Sequence, residues 1–212
     1  MTKVIIFDFD GTLADTIDIL LSITNRLSAE LGFKSATKEQ IAQLSNLTSW
    51  QLLQYSGISI FKFPLLIRRL KAELRSEIPN IQLFAGIKEV LLELKKLGFQ
   101  LGIITSNSRE NVLASLETNG VQDTFTFIYS GSTFGKHKVI NSWLKTEHIH
   151  PKQVVYVGDE IRDIEAARKT GIKVIAVAWG FNSQEALAAN NPDFLIKRPQ
   201  ELIEIMSNFW EV

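Results

Sequence analysis

The chain alternates short, unbroken apolar runs with longer stretches of helical period. The runs fall at residues 4–7, 101–105, 125–129, 154–157 and 174–178, with a last short one at 194–196. Continuous rather than alternating apolar residues are the pattern of strands covered on both faces of a parallel sheet. Between the runs lie helical patterns. Residues 86–97 space Ile87, Val90, Leu91, Leu94 and Leu97 three and four apart and then meet Gly98, a helix stop. Residues 109–119 end at Gly120 and residues 161–170 at Gly171 in the same way. The alternation predicts an α/β fold with a doubly wound, mainly parallel, Rossmann-like sheet.

It breaks once. From Asp15 to about residue 83 there is no strand pattern. Ile19, Leu20, Ile23, Leu27 and Leu31 form one helical stripe. Residues 37–44 suggest a short helix. Phe63, Leu66, Ile67, Leu70 and Leu74 form another stripe, with Pro64 near its first turn. The expected organisation is a core domain of residues 1–14 and 84–212, interrupted by an all-helical domain at 15–83. Arg68, Arg69, Lys71 and Arg75 read as a solvated helix face interleaved with Glu73 and Glu77. Trp143 reads as core, and Trp50 lies in the helical insert as a minor candidate for stacking on substrate. His148 and His150 read as loop residues.

Charge narrows the partners. In 212 residues, 23 Lys and Arg balance 23 Asp and Glu, so no net field favours nucleic acid or an anionic membrane. There is no cysteine, which excludes disulfides and thiolate metal sites. The first apolar run is too short for a signal peptide and meets Asp8, and no stretch approaches the roughly 20 apolar residues of a membrane helix. The expectation is a cytoplasmic protein, monomer or homodimer, with no membrane or nucleic-acid partner.

Ligands of open parallel sheets bind beyond the carboxyl ends of the strands. Asp8 and Asp10 follow the first run. Thr105, Ser106 and Asn107 follow the second. Gly158, Asp159 and then Asp163 follow the fourth, and Lys136 opens a helical pattern before it. Together they suit phosphoryl transfer. Two carboxylates at alternate positions of extended chain face the same way. One can attack phosphorus while the other moves protons. A phosphate adds charge to an acidic site, which a hard cation such as Mg2+ answers through oxygen ligands. Asp8, the Asp10 carbonyl and Asp159 are the candidate ligands, with Asp163 supporting a metal-bound water or Lys136. Thr105, Ser106 and the amides that follow can bind phosphate oxygens, and Lys136 supplies positive charge. Lys138 is the alternative to Lys136; spacing from Asp159 favours Lys136.

Asp8-Phe9-Asp10-Gly11-Thr12, then Thr105, then Lys136, then Gly158-Asp159-x-x-x-Asp163 resembles the four ordered motifs of the haloacid dehalogenase superfamily. The stretch 178–181 and the Pro192-Asp193-Phe194 tail are similar to its phosphoglycolate phosphatase-like branch, and the helical insert is similar to the cap that one subclass carries there. The resemblance implies a magnesium-dependent phosphatase acting on a small phosphorylated metabolite, with Asp8 as nucleophile and Asp10 as acid/base. Dehalogenases differ at the second aspartate, so Asp10 speaks against dehalogenation. Three other readings stand beside it: a sugar phosphomutase of the same superfamily, a signalling receiver and a non-catalytic phosphate-binding protein. The Asp-Gly-Thr turn at the first strand, followed by a helical insert, speaks against a receiver.

Overall fold

The computed structural model describes residues 3–37, 40, 43–131 and 135–209. Its central element is β1, Val4–Phe7, with all four side chains buried. Ile5 and Phe7 enter one apolar cluster and Val4 and Ile6 the other, as the two-residue period of a strand requires. The remaining strands are β2 (Gln100–Thr105), β3 (Phe127–Ser130), β4 (Val154–Gly158), β5 (Lys173–Val177) and β6 (Phe194–Ile196). They form a six-stranded parallel sheet in the order β3-β2-β1-β4-β5-β6. The chain winds outward one way from β1 and returns to wind the other way from β4, so the crevice between β1 and β4 is the switch point where such sheets bind ligands.

The helices after β1 include α1 (Ile17–Leu31), α2 (Ser49–Ser56) and α3 (Phe63–Glu77). The inner stripe of α1 buries Ile23, Leu27 and Leu31 against Leu66 and Leu74 of α3, in an apolar cluster continuous with the sheet. The chain leaves and re-enters the sheet layer side by side: Asp15 N–H donates to Gln82 O at 2.9 Å and Phe84 N–H to Leu13 O at 3.0 Å. Helices α4 (Ile87–Lys96), α5 (Arg109–Thr118) and α9 (Glu201–Asn208) cover the Phe7 face. Helices α6 (Lys136–Thr146), α7 (Ile161–Thr170) and α8 (Gln184–Ala189) cover the other. Among the described residues no helix is long and apolar enough to cross a membrane.

The expected strands all form, with ends moved by one or two residues. β3 begins at Phe127 rather than Phe125 because a 3-10 turn, Gln122–Thr124, delays it and Phe125 packs edge-on to Phe7. Half of the short helix expected over 37–44, residues 38, 39, 41 and 42, lies outside the described residues, and Gln40, Gln43 and Leu44 are helical. Helix α2 was not anticipated, although Thr48 and Gln51 form a capping box at its start. Trp143 is core, stacked on Phe127 at 4.7 Å, and Trp50 is exposed. His150 caps a 3-10 turn, its Nδ1 accepting from Lys152 N–H.

Tyr156 ties the two strands that flank β1. Its buried hydroxyl donates to Ile104 O at 2.7 Å, from β4 to β2. Tyr156→Phe deletes that bond while keeping the ring. It should cost about 1 kcal/mol, a drop of about 2–4 °C in melting temperature for a chain of this size. Calorimetry checks this; an unchanged melting temperature would mean the bond contributes nothing.

Candidate active site

Register sets the site. Phe7 pairs with Ile103 on one side and Val157 on the other, so Asp8 lies level with Ile104 and Gly158. Thr105 and Asp159 follow one residue further along. Asp8 N–H still donates to Val157 O at 2.9 Å, which holds its backbone in the sheet. One carboxylate oxygen, Oδ1, accepts from Phe9 N–H at 2.8 Å, and Oδ2 accepts from Lys136 Nζ at 2.7 Å. The Lys136 ammonium also donates to Asp163 Oδ1. Lys136 is 3% exposed at the start of α6, whereas Lys138 is exposed. Asp163, in the first turn of α7, turns its other oxygen to Glu160 N–H.

Asp159 is gripped from two loops: Thr12 Oγ1 donates to its Oδ1 at 2.7 Å and Phe181 N–H to its Oδ2 at 2.8 Å. That closeness needs Gly11. Its φ of +76° is unfavourable for other residues, and a Cβ there would lie 2.2 Å from Asp159 Oδ2. Asp8, Asp159 and Asp163 bring carboxylate oxygens within 4.8 Å of one another, all buried. Only oxygen is offered, in the middle of excess negative charge, and that donor set fits a hard divalent cation. The expected ligand set paired Asp8 and Asp159 with the Asp10 carbonyl; the third side chain in the cluster is Asp163.

The two aspartates of the first motif differ electrically. Burial opposes charge on Asp8, but the Lys136 ammonium, the Arg162 guanidinium and the Phe9 amide outweigh it and hold its carboxyl below the usual range. Burial and the Asp8 charge push Asp10 up to about 7, against the Asn107 amide, whose Nδ2 donates to both Asp10 oxygens at 3.2 and 3.0 Å. Burial, with Glu160, Asp163 and Asp8 nearby, holds Asp159 well above the usual range. Burial likewise lifts Asp163 to about 6, even beside Lys136. Two carboxyls pushed apart in this way are suited to different tasks.

The strand ends open into a cavity of about 360 Å³ roofed by α1, α2 and α3. Its floor includes Asp10, Ser106, Asn107 and Arg162. Thr105 is buried beside it, its Oγ1 accepting from Asn107 N–H at 3.1 Å. Ser106 reaches Arg162 at 3.5 Å, and Arg162 pairs with Glu160 at 2.6 Å.

All seven residues singled out from the sequence, Asp8, Asp10, Thr105, Ser106, Lys136, Asp159 and Asp163, converge here. Three were missed. Asn107 stands next to Ser106 and was seen but given no part. Arg162 carries its charge at the last unspecified position of the Gly158-Asp159-x-x-x-Asp163 motif. Lys71 leaves the basic stretch of α3: Arg69 pairs with Glu30 and Glu73 as a solvated face would, while Lys71 lines the cavity.

A family model of haloacid dehalogenase-like hydrolases matches residues 5–177. The chain belongs to that family. Its enzyme class follows, a phosphohydrolase. It is 34% identical over 206 residues to a phosphoglycolate phosphatase of Synechococcus elongatus, covering 97% of each chain. It is 29% identical over 211 residues to one of Aquifex aeolicus, again covering 97% of each. A haloacid dehalogenase-like hydrolase from Streptococcus pneumoniae superposes with a TM-score of 0.81 at 26% identity, covering 97% of this chain and 98% of that one. Family membership removes the receiver reading.

The raised carboxyls make a prediction for metal-free protein. Asp10, Asp159 and Asp163 hold protons in the folded state that the unfolded chain has released, so stability falls as pH rises from about 4 towards 7. Chelator-treated protein should melt at a higher temperature at pH 5 than at pH 7.5, and a divalent cation should raise the pH 7.5 value. A midpoint that climbs from pH 5 to 7.5 without metal contradicts this electrostatic picture.

Proposed function

We propose that the protein is a magnesium-dependent phosphatase that hydrolyses a small phosphorylated metabolite through an aspartyl phosphate on Asp8. The observation that carries the reading is the electrical split of Asp8 and Asp10: one carboxyl held ionised beside Lys136, the other held protonated near neutrality beside the cavity. An ionised Asp8 attacks phosphorus, and the bond from phosphorus to the ester oxygen breaks as Asp10 gives that oxygen its proton. The Asp10 carboxylate then takes a proton from a water as that water attacks the same phosphorus. The bond from Asp8 to phosphorus breaks, inorganic phosphate leaves and both aspartates return to their starting states.

Thr105, Ser106 and Lys136 are assigned to the phosphate oxygens. Asp8, the Asp10 carbonyl and Asp159 are assigned to Mg2+, whose bound charge offsets that of the phosphate. Asp163 keeps Lys136 charged: burial opposes that charge, and Asp163 and then Asp8 more than restore it. Residues 15–83 are proposed to act as a cap over the core, with the paired crossings at Asp15 and Phe84 as its connection. The names of the Synechococcus and Aquifex relatives support a phosphoglycolate-like ester.

Hydrolysis of p-nitrophenyl phosphate with Mg2+ tests the reading. Asp8→Asn should lower kcat by at least about 10³-fold, and Asp10→Asn by about 10²–10⁴-fold. Chelation of the metal should stop turnover and Mg2+ restore it. An Asp8→Asn enzyme that keeps most of its activity removes Asp8 as the nucleophile.

A further inference from the structure

The roof of the cavity holds a cation that the phosphoryl chemistry does not use. Lys71 of α3 lines the cavity together with Asp10 and is half-buried there. Among the described residues its ammonium has no hydrogen bond or ion pair. The other cavity cations are engaged: Arg162 pairs with Glu160 at 2.6 Å, and Lys34 lies over the Tyr55 ring, 5.6 Å from its centroid.

The position of Lys71 is fixed relative to Asp10 by two amides. Buried Asn111 donates from Nδ2 to Lys71 O at 2.9 Å and to Asn107 Oδ1 at 3.3 Å, and Asn107 holds the Asp10 carboxyl. Burial pushes the Lys71 ammonium down, and among the described residues Asp10 is the carboxylate whose charge acts on it. Asp8 has its own cation in Lys136. In the proposed reaction Asp10 stands at the ester oxygen. Lys71 therefore faces the alcohol part of the substrate rather than the phosphoryl group.

Most of the surface of the cavity that Lys71 lines is apolar, with Leu20, Ile67, Leu70 and Leu74 among its walls. A substrate filling this space displaces water from the ammonium. A neutral alcohol would leave that charge desolvated and uncompensated, which is unfavourable. A carboxylate would meet it with a charge-assisted hydrogen bond. A second phosphate would bring more charge than one ammonium among apolar neighbours answers.

We propose that Lys71 is the residue that receives the carboxylate on the leaving-group side of a phosphoglycolate-like ester, and so sets the preference for an acid over a neutral alcohol. This rests on the phosphatase reading above.

The test compares kcat/KM for phosphoglycolate and for isobutyl phosphate, in which two methyl groups replace the carboxylate oxygens. The ratio of the two values in one preparation is independent of the fraction of folded enzyme. Lys71→Met should lower that ratio at least about tenfold, the scale of one charge-assisted hydrogen bond, and Lys71→Arg should retain most of it. A ratio that changes less than about threefold in Lys71→Met, or falls as far in Lys71→Arg, overturns the assignment while leaving the phosphatase reading intact. Wild-type protein that hydrolyses neither ester nor p-nitrophenyl phosphate overturns both.

Discussion

The ion pair that Lys136 makes with both Asp8 and Asp163 governs the rest of the site. Burying a lone carboxylate is costly, and burying several together is worse. Here four aspartates sit at the ends of three neighbouring segments, with Asp8, Asp159 and Asp163 almost wholly shielded from solvent. One shared ammonium keeps Asp8 ionised, and Asp10, left without such a partner, holds its proton. The electrical difference between Asp8 and Asp10, on which their proposed roles rest, is thus made by a residue 128 positions away in the chain.

The sheet makes the arrangement reproducible. With β1 between β2 and β4 and all three in level register, the residues after each strand emerge at one edge. The hydroxyl of Tyr156 bonds across β1 to β2, and its ring lies under Lys136, 5.2 Å from the ammonium. Rigid strands hold the carboxylates, and helices that start at the same edge hold Lys136 and Asp163. The helical roof joins the core through the two crossings, through the apolar cluster it shares with the sheet, and through bridges such as Asn111 to Lys71 and Asn182 to Ser45 O. In the proposed reaction the sheet sets the chemistry and the roof recognises the alcohol.

Much of this was legible in the sequence because the core obeys simple periods. Val4–Phe7 is unbroken and apolar because both of its faces are covered, and Ile161–Thr170 stops where Gly171 adopts a positive φ. Asp8 and Asp159 could be read because each directly follows a strand, with Asp10 two residues beyond Asp8 and Asp163 one helical turn beyond Asp159. What could not be read depends on direction and distance. Helix α2 is short and weakly amphipathic, so only its capping box marked it. Lys71 and Arg69 look alike in sequence, yet a rotation of two positions around α3 sends one into the cavity and the other to Glu30 and Glu73. The bond from Asn107 to Asp10 joins residues 97 apart, which no local pattern reveals. Spacing from Asp159 favoured Lys136 over Lys138, and burial separates the two more sharply.

A covalent phosphoryl group on Asp8 follows from this division of charge. Rapid acid quenching during turnover of a phosphate ester labelled on phosphorus, followed by borohydride reduction and peptide mass spectrometry, looks for it directly. The expected result is transient, hydroxylamine-labile label on the protein and conversion of Asp8 to homoserine. Full turnover with no label on the protein, or label on another residue, would contradict Asp8 as the nucleophile.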